Sequence, residues 1–512
     1  MFSKSYSAGL DGINSYIVNV EADVTDGFPE FYMVGDLPAK IKESRNRIRT
    51  AINNSGFKMQ MKKVTINLSP ANLRKEGTGY DLPIAVAVLS CMGYIMQQKL
   101  EDTIIIGELS LNGSIVRVNG ILPMVYNAKK KGYKRCIVPF DNGKEAGAVR
   151  GIKVYCGQNL REVVDFINGN LDLQQVNTDC LPLFDRTPEN MEDFRDVNGQ
   201  EFVKRAVEVA VSGNHNMLMI GPPGAGKSMI AKRIPGIMPK LTFDESMDIS
   251  KIYSISGFLD NDNSIIYKRP FRAPHHSITQ VALTGGGRIP VPGEISLASG
   301  GVLFLDELPE FDKKLIEILR QPLEDRYIII SRLNANTRYP ADFMLVAAMN
   351  PCNCGYYPDR TRCKCNITDI NRYLSKVSRP ILERIDICVE AARIDYNSLN
   401  NKIKGESSEN IRERIEKTRS IQKKRFENDG ILYNSSMNTK HIEKYCVLDE
   451  KCRKLIADAF DNNNMSARMY HKVLIVARTI ADMAYKENIE EDDLMEALLY
   501  RNAIKKFWDN EI

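Results

Sequence analysis

The 512-residue sequence lacks several features that mark whole classes of protein. It has no apolar run of the roughly 18 residues needed to cross a bilayer. Its N-terminus, MFSKSYSAGLDGINSYIV, has no apolar core of a signal peptide. It also has little excess charge, because 70 basic and 65 acidic side chains leave only +5. This small net charge excludes histone-like or tail-driven nucleic-acid binding. Because the sequence has neither a membrane-spanning run nor the core of a signal peptide, we expect a cytoplasmic protein without membrane contact.

The composition, 43% hydrophobic and 26% charged, is typical of globular proteins, and the length suffices for about three domains. Hydrophobic periodicity divides the chain into an α+β or α/β domain (1–168), a polar linker (169–195), a nucleotide-binding α/β domain with parallel strands (196–390) and a set of charged amphipathic helices (391–512). In the third segment, apolar runs at 217–220, 301–305, 327–330 and 343–348 are the strand candidates.

The charge excess lies in the first third of the chain. Residues 1–170 carry 22 basic and 16 acidic side chains, whereas the remaining residues are nearly balanced. The segment Lys40–Arg49 is strongly basic and has a helical pattern. It is either a solvated helix face or a face that contacts phosphates.

The cysteines form one close group. Seven of the 11 are scattered, but four lie in a C-x-C-x8-C-x-C pattern in a loop rich in Pro, Gly and Arg: Cys352, Cys354, Cys363 and Cys365. In a reducing compartment, such a group favours metal binding over disulfides. Four thiolates can close a tetrahedral zinc site, and four free loop thiols are the alternative.

A phosphate-binding loop follows the apolar run at 217–220. It consists of Gly221, Pro222, Pro223, Gly224, Ala225, Gly226, Lys227 and Ser228, which match G-x-x-x-x-G-K-[ST] between a strand and a helix. The glycines let backbone N–H groups surround the phosphates, Lys227 reaches the β- and γ-phosphates, and Ser228 ligates Mg²⁺. The loop therefore predicts ATP and Mg²⁺ as cofactors.

Polar residues end the next two apolar runs. Asp306 and Glu307 follow Val302–Leu305; Asp306 would hold the metal through water, and Glu307 would polarise the attacking water. Asn350 follows the run at 343–348 and is placed to orient that water. An acidic strand cap for the first pair, and a turn before Pro351 for the asparagine, are the alternatives.

Two arginines complete the candidate catalytic set. Arg384, in Pro380–Asp386, suits an arginine finger, which stabilises transition-state charge from a neighbouring subunit. Arg468 opens a helix in the C-terminal segment and would reach the nucleotide from there. Their spacing alone leaves ordinary structural arginines equally open.

Longer strings resemble a known family. Phe271–His276 (FRAPHH), Gly293–Ala298 (GEISLA) and Leu305–Phe311 (LDELPEF) are similar to the magnesium-chelatase-like AAA+ ATPases typified by YifB and ComM. The strings at 42–45 and 74–83 and the cysteine group fit the same family pattern. The resemblance implies a P-loop AAA+ domain, a Lon-protease-like α+β N-terminal domain and an all-α C-terminal lid. It assigns sensor 1 to Asn350, the arginine finger to Arg384 and sensor 2 to Arg468.

The resemblance to Lon raises the question of proteolysis. Lon-type catalysis uses a serine nucleophile activated by a lysine. The place of the serine falls on Gly79, and the position expected for the lysine, near Asn119–Pro123, is apolar. Thr78 has no evident partnered base. We therefore predict that the chain is not an active protease.

The resemblance also implies a partner, because relatives similar to ComM are hexameric motors that promote DNA branch migration in natural transformation and recombination. A polar, glycine-rich insertion at 272–300, which we expect to be flexible, and a candidate hairpin at 328–339 would face the pore of such a ring. Arg288, Arg332 and Arg338 are therefore candidate phosphate contacts, with ordinary surface arginines as the alternative.

Two further expectations concern a pair of histidines and an alternative function. His275 and His276 are expected to be structural rather than catalytic. An alternative function is a chelatase- or chaperone-like ATPase that remodels a protein partner.

Overall fold

The computed structural model describes residues 1–35, 38–59, 62–73, 75, 77–185, 192–259, 264–287, 290–332, 335–393, 405–462 and 465–509. The N-terminal strands are β1 (Phe2–Asp11), β2 (Asn14–Thr25), β3 (Phe31–Val34), β4 (Lys63–Ser69), β5 (Thr103–Ile105), β6 (Glu108–Leu109), β7 (Ile115–Val116), β8 (Arg135–Pro139), β9 (Lys153–Gly157) and β10 (Gln174–Val176). The helices between them are α1 (Ala39–Asn54), α2 (Asp81–Cys91), α3 (Ile121–Lys130), α4 (Gly143–Gly147), α5 (Leu160–Asn168) and α6 (Leu181–Asp185).

These strands form a mixed eight-stranded sheet in the order β10-β9-β8-β5-β1-β2-β4-β3. Strands β1, β5, β8 and β9 are parallel, whereas β1 and β2 form an antiparallel hairpin. Helix α2 is buried along its whole length between the hairpin and α1, which explains its continuous apolar sequence. Strand β10 pairs antiparallel with β9, although it lies in the stretch whose polar sequence indicates a linker.

The second domain contains α7 (Glu201–Gly213), β11 (Met217–Ile220), α8 (Lys227–Ile237), α9 (Phe243–Ile255), β12 (Phe271–Arg272), α10 (Gln280–Thr284), β13 (Gly285–Gly286), β14 (Val291–Pro292), α11 (Glu294–Leu297), β15 (Val302–Leu305), α12 (Lys313–Ile318), α13 (Arg320–Asp325), β16 (Tyr327–Arg332), β17 (Ala335–Pro340), β18 (Met344–Met349), α14 (Ile367–Leu374), α15 (Arg379–Leu382) and β19 (Ile387–Glu390). Five strands form an all-parallel sheet in the order β12-β15-β18-β11-β19. Because β11, β15 and β18 are buried on both faces, their sequences are continuously apolar.

The structure corrects two expectations in this domain. The run at 327–330 is not a strand of the parallel sheet; it belongs to β16, which pairs antiparallel with β17 and forms the hairpin predicted at 328–339. The described part of the insertion at 272–300 also contributes to the core, contrary to expectation, because Leu283, Ile295 and Ala298 are buried there. The two elements touch, since the Tyr339 hydroxyl of β17 donates to the Pro290 carbonyl at 2.7 Å.

The C-terminal part consists of helices in the residues that the structure describes. They are α16 (Ser408–Arg425), α17 (Thr439–Tyr445), α18 (Glu450–Asn462), α19 (Ala467–Met483), α20 (Glu491–Leu499), α21 (Asn502–Ile504) and a π-helical turn at Lys505–Asp509. Helices α16 and α19 pack on α7, so this lid shares a core with the P-loop domain. The α/β class and the all-α lid are thus confirmed. Among the described helices, none is both long and apolar enough to span a membrane.

The N-terminal domain docks on the P-loop domain through α3 and α9. The backbone N–H of Gly120 donates to the Ser254 carbonyl at 3.0 Å, and the Ser254 hydroxyl donates to buried Glu145 at 2.5 Å. Apolar side chains of both helices share one core around these contacts. Burial raises the pKa of Glu145, with hydrogen bonds from Ser254 and Asn142 opposing it. The interface therefore combines apolar packing with a satisfied polar group.

Candidate active site

The phosphate-binding loop joins β11 to α8 at the carboxyl edge of the parallel sheet. Gly226 has a φ of 82° where α8 begins, a conformation that glycine adopts without steric cost. The buried Lys227 ammonium donates to the carbonyls of Gly221 (2.7 Å) and Pro222 (3.0 Å) and to Asn350 Oδ1 (3.1 Å). Burial lowers the pKa of Lys227 while nearby carboxylates oppose that shift. Neutral acceptors thus hold the ammonium where a phosphate would bind.

The predicted metal-binding pair also forms. The Ser228 hydroxyl donates to Asp306 Oδ2 at 2.5 Å, and the backbone N–H of Glu307 donates to Asp306 Oδ1 at 2.9 Å. A hydroxyl and a carboxylate at the mouth of a phosphate loop are suitable oxygen donors for Mg²⁺. The residues present therefore fit the predicted metal.

Glu307 follows Asp306 in a rare backbone conformation. Its φ of 53° lies in the left-handed region, which non-glycine residues seldom adopt outside functional sites. Its side chain is 60% exposed and lies 3.7 Å from His276 Nδ1, while the rings of His276 and His275 are 4.0 Å apart. The histidine pair, expected to be structural, therefore stands next to the candidate base. The sequence could have indicated this position, because the two histidines closely follow β12 and the carboxyl end of β12 lies at the same edge of the sheet.

The two arginines contact one carboxylate rather than the phosphate-binding loop of their own chain. Arg384 Nη2 lies 2.9 Å from Glu324 Oε1, and Arg468 donates to the same oxygen. Arg384 also donates to the Pro380 carbonyl at 2.6 Å. Partial burial would raise the pKa of Glu324, but the two guanidiniums outweigh it and lower that pKa. The structure thus unites Arg384 and Arg468 around Glu324, a residue with no signal in the sequence.

The four cysteines of the predicted zinc site converge. All four sulfurs lie within 4.8 Å of one another, with Cys352 Sγ at 3.3 Å from Cys354 Sγ and 3.7 Å from Cys363 Sγ. Four sulfurs at about 2.3 Å from one zinc ion would be about 3.8 Å apart, so the residues present fit the metal. Burial raises the pKa of the Cys354 thiol, but the Tyr356 N–H and the neighbouring thiols outweigh it and lower it to about 6.

The cysteine loop touches the nucleotide site. It begins two residues after Asn350, and a Cβ atom on Gly355 would collide with Pro223 of the phosphate-binding loop. Gly355 has a φ of 85°, so both its conformation and this contact favour glycine. The loop that carries the cysteines therefore packs directly against the phosphate-binding loop.

The candidate DNA contacts are only partly visible. Arg288 lies outside the described residues, and so does the side chain of Arg332. Arg338 is exposed on β17, with its guanidinium 3.5 Å from the centroid of the Tyr327 ring. Of the three candidates, Arg338 alone has a described side chain, and it packs on an aromatic ring while remaining accessible on the hairpin.

The Lon-like positions have other partners. The Thr78 hydroxyl donates to Glu108, and buried Lys75 donates to the Pro70 carbonyl. A Cβ atom on Gly79 would face Ile106 and Val118 at 3.6 Å. Leu122 is fully buried at the interface of α3 and α9. These surroundings are apolar or already paired.

Three family models match consecutive parts of the chain. The model described as magnesium chelatase, subunit ChlI, matches residues 193–399. The one described as subunit ChlI of Mg-chelatase matches residues 20–142, and the one described as magnesium chelatase, subunit ChlI C-terminal, matches residues 405–501.

Individual proteins are similar over nearly the whole length. The chain is 40% identical to competence protein ComM of Haemophilus influenzae, over 98% of this chain and 97% of that protein. It is 38% identical to the uncharacterized protein YifB of Escherichia coli, over 96% of this chain and 95% of that protein. A shorter similarity, 26% identity over 136 residues, links 26% of this chain to 24% of Lon protease 2 of Bacillus subtilis.

Proposed function

This chain belongs to the magnesium-chelatase-like AAA+ ATPase family of ComM and YifB, and from that membership we propose a hexameric motor that couples ATP hydrolysis to movement along DNA, including branch migration. The contact of Lys227 with Asn350 carries the ATPase part, because it joins the phosphate-binding loop to the sensor position at one sheet edge. We expect the protein to act in the cytoplasm, where its thiols stay reduced.

Each part of the site has a role in phosphoryl transfer. Lys227 and the loop N–H groups bind the phosphates, and Ser228 and Asp306 hold Mg²⁺, which neutralises charge on the phosphates when bound. Glu307 orients and deprotonates the attacking water, and Asn350 positions that water. His276 restrains the Glu307 carboxylate from the side.

Arg384 and Arg468 act in trans in this proposal. Both guanidiniums meet at Glu324, so the two arginines form one cationic group where the lid meets the P-loop domain, with Arg468 partly exposed and Arg384 largely buried. In a ring, that group would face the nucleotide of the next subunit and stabilise transition-state charge there. Arg468 thus serves as sensor 2 for the neighbour rather than for its own chain.

The DNA part rests on the insertion and the hairpin. These elements pack together through Tyr339 and Pro290, and they present Arg338 to solvent. Arg288, Arg332 and Arg338 are the proposed phosphate contacts, and single-stranded or branched DNA is the proposed partner. The four cysteines would form a structural zinc site beside the phosphate-binding loop.

The N-terminal domain is proposed to lack protease activity. Gly79 stands at the place of the nucleophile, and the stretch expected to hold the lysine, near Asn119–Pro123, is apolar and buried at Ile121 and Leu122. A peptidase assay that detects ATP-dependent cleavage of casein would contradict this.

The test is ATP hydrolysis without DNA, with single-stranded DNA and with a four-way junction, combined with negative-stain imaging of the same samples. We expect hydrolysis to rise with DNA, and Glu307→Gln to retain ATP binding while losing turnover. Glu310→Gln is the matched control, because Glu310 lies three residues further on and pairs with exposed Lys376.

Two results would contradict the motor or favour the alternative function. Hydrolysis that DNA does not change, together with no DNA binding at low salt, would refute the motor. A stoichiometric protein partner that stimulates hydrolysis would favour the alternative, a chelatase- or chaperone-like ATPase that remodels proteins.

A further inference from the structure

A wide cleft lies in the N-terminal domain, and its lining shares no residue with the nucleotide site. It has a volume of about 1140 Å³ and is formed where β5, β8 and β9 begin, between the end of α3 and strand β10. It opens widely to solvent. Arg150 at its rim lies 5.5 Å from the Phe243 ring of α9, so the cleft adjoins the ATPase domain.

The charged residues that line the cleft are mainly basic. Five basic side chains face it against two acidic ones. Each acid forms an exposed ion pair, Asp102 with Lys134 at 3.0 Å and Asp179 with Arg150 at 3.2 Å. Exposed pairs of this kind contribute little stability, so both lysine and arginine remain available to another anion.

The other three lining cations have no carboxylate partner within the part of the chain that the structure describes. These are Lys129, Arg135 and Lys153, and the contact of Arg135 is to the neutral Lys99 carbonyl at 3.2 Å. Like charges brought together from α3, β8 and β9 repel one another, and the two acidic residues of the lining offset this only in part. The arrangement is therefore suited to a polyanion.

The local sequence concentrates the charge further. Lys129–Arg135, the sequence KKKGYKR, has five basic residues in seven and no acidic residue. Lys129, Lys134 and Arg135 of this run line the cleft, whereas Lys130 packs on the Tyr126 ring outside its lining. This run is denser in charge than Lys40–Arg49, and it is the signal that predicts a phosphate-binding surface.

We propose that this cleft binds the phosphate backbone of a nucleic-acid strand and holds it beside the motor. The proposal rests on the proposed DNA function and adds a second contact site, separate from the insertion and the hairpin. Lys129, Arg135 and Lys153 are the main phosphate contacts, and the half-buried Tyr133 and Tyr155 in the lining offer aromatic surface to bases.

Shape and chemistry favour nucleic acid over other anions. A flat bilayer cannot enter a concave cleft, whereas a flexible strand can follow it. Small-molecule pockets mostly enclose their ligand, whereas this cleft is open to solvent and carries five basic side chains in its lining. A strand also supplies several phosphates at regular spacing, which matches cations from three successive elements.

The experiment compares the full-length chain with Lys129→Glu/Lys153→Glu. Binding of a fluorescent 40-nucleotide single strand is followed by anisotropy between 50 and 300 mM NaCl, with a non-hydrolysable ATP analogue present. Loss of two phosphate contacts should weaken binding by about tenfold at 100 mM salt and reduce the slope of log K against log salt by about 1.4. Lys451→Glu/Lys454→Glu, two exposed lysines on α18, is the matched control and should leave both unchanged.

Basal ATP hydrolysis should be the same in all three proteins, which shows that each is folded. An unchanged affinity and slope in the cleft variant would overturn the proposal. So would binding to phosphatidylserine vesicles that depends on the cleft lysines without any strand binding. If the wild type binds the strand through the cleft but hydrolyses ATP no faster with it, the cleft proposal stands and the motor proposal fails.

Discussion

We predict that the contact between the P-loop domain and the lid weakens at low pH because of His215. It follows α7, is fully buried, and its Nε2 atom lies 2.8 Å from the Thr479 hydroxyl of α19. Burial lowers the pKa of His215 to about 4, and Asp386, whose Oδ2 lies 3.8 Å from Nδ1, opposes this only in part. The neutral imidazole is therefore the form that the folded protein accepts.

The size of the effect follows from the two pKa values. The unfolded chain binds the proton with a pKa of 6.5 and the folded chain with a pKa of about 4. The stability from the neutral ring is therefore fully present above pH 6.5 and is lost as the pH falls toward 4. Between pH 7 and pH 5 the loss amounts to about 1.9 kcal/mol, and the full loss is about 3.4 kcal/mol.

The assay uses the single tryptophan, Trp508, whose Nε1 donates to the Leu374 carbonyl at 3.1 Å and so ties the C-terminal turn to α14. Urea unfolding is followed by its fluorescence at pH 7 and pH 5 in the wild type and in His215→Gln, which keeps a polar contact to Thr479. We expect His215→Gln to lose about 1.9 kcal/mol less than the wild type over this interval. Equal losses in the two proteins would refute the assignment.

The other predictions concern the nucleotide site and its neighbours. Glu324→Gln should leave ATP binding intact and reduce turnover, because Arg384 and Arg468 lose their common anchor; unchanged kcat in assembled rings would contradict this. In rings mixed from Arg384→Ala and Lys227→Ala subunits, each inactive alone, hydrolysis should reappear, because some interfaces then join an intact Arg384 to an intact phosphate-binding loop; no recovery in mixed rings would exclude action in trans. Cys363→Ser should lower bound zinc, measured by mass spectrometry, and slow hydrolysis through the contact of Gly355 with Pro223; less than about 0.2 zinc per wild-type chain would remove the zinc site.

Much of the nucleotide site was predictable because its parts are contiguous. The loop Gly221–Ser228 and the pair Asp306–Glu307 each follow a buried apolar strand, and parallel strands bring their carboxyl ends to one edge. The four cysteines are likewise close in sequence, so their spacing alone predicted a cluster. Strands β12 and β19 were not predicted, because β12 has only two residues and β19 has only three apolar residues before the exposed Glu390.

The sequence by itself determined the family, the order of the α/β and α-helical parts, and the candidate residues for phosphate and metal binding. These depend on local chemistry, in which a loop or strand end supplies adjacent groups. Only the tertiary structure decided that Arg384 and Arg468 share Glu324, that His276 stands beside Glu307, and that cations of α3, β8 and β9 line one cleft. The partners in these contacts are far apart along the chain and on different elements, so the packing of helices and strands, which leaves no periodic signal, brings them together.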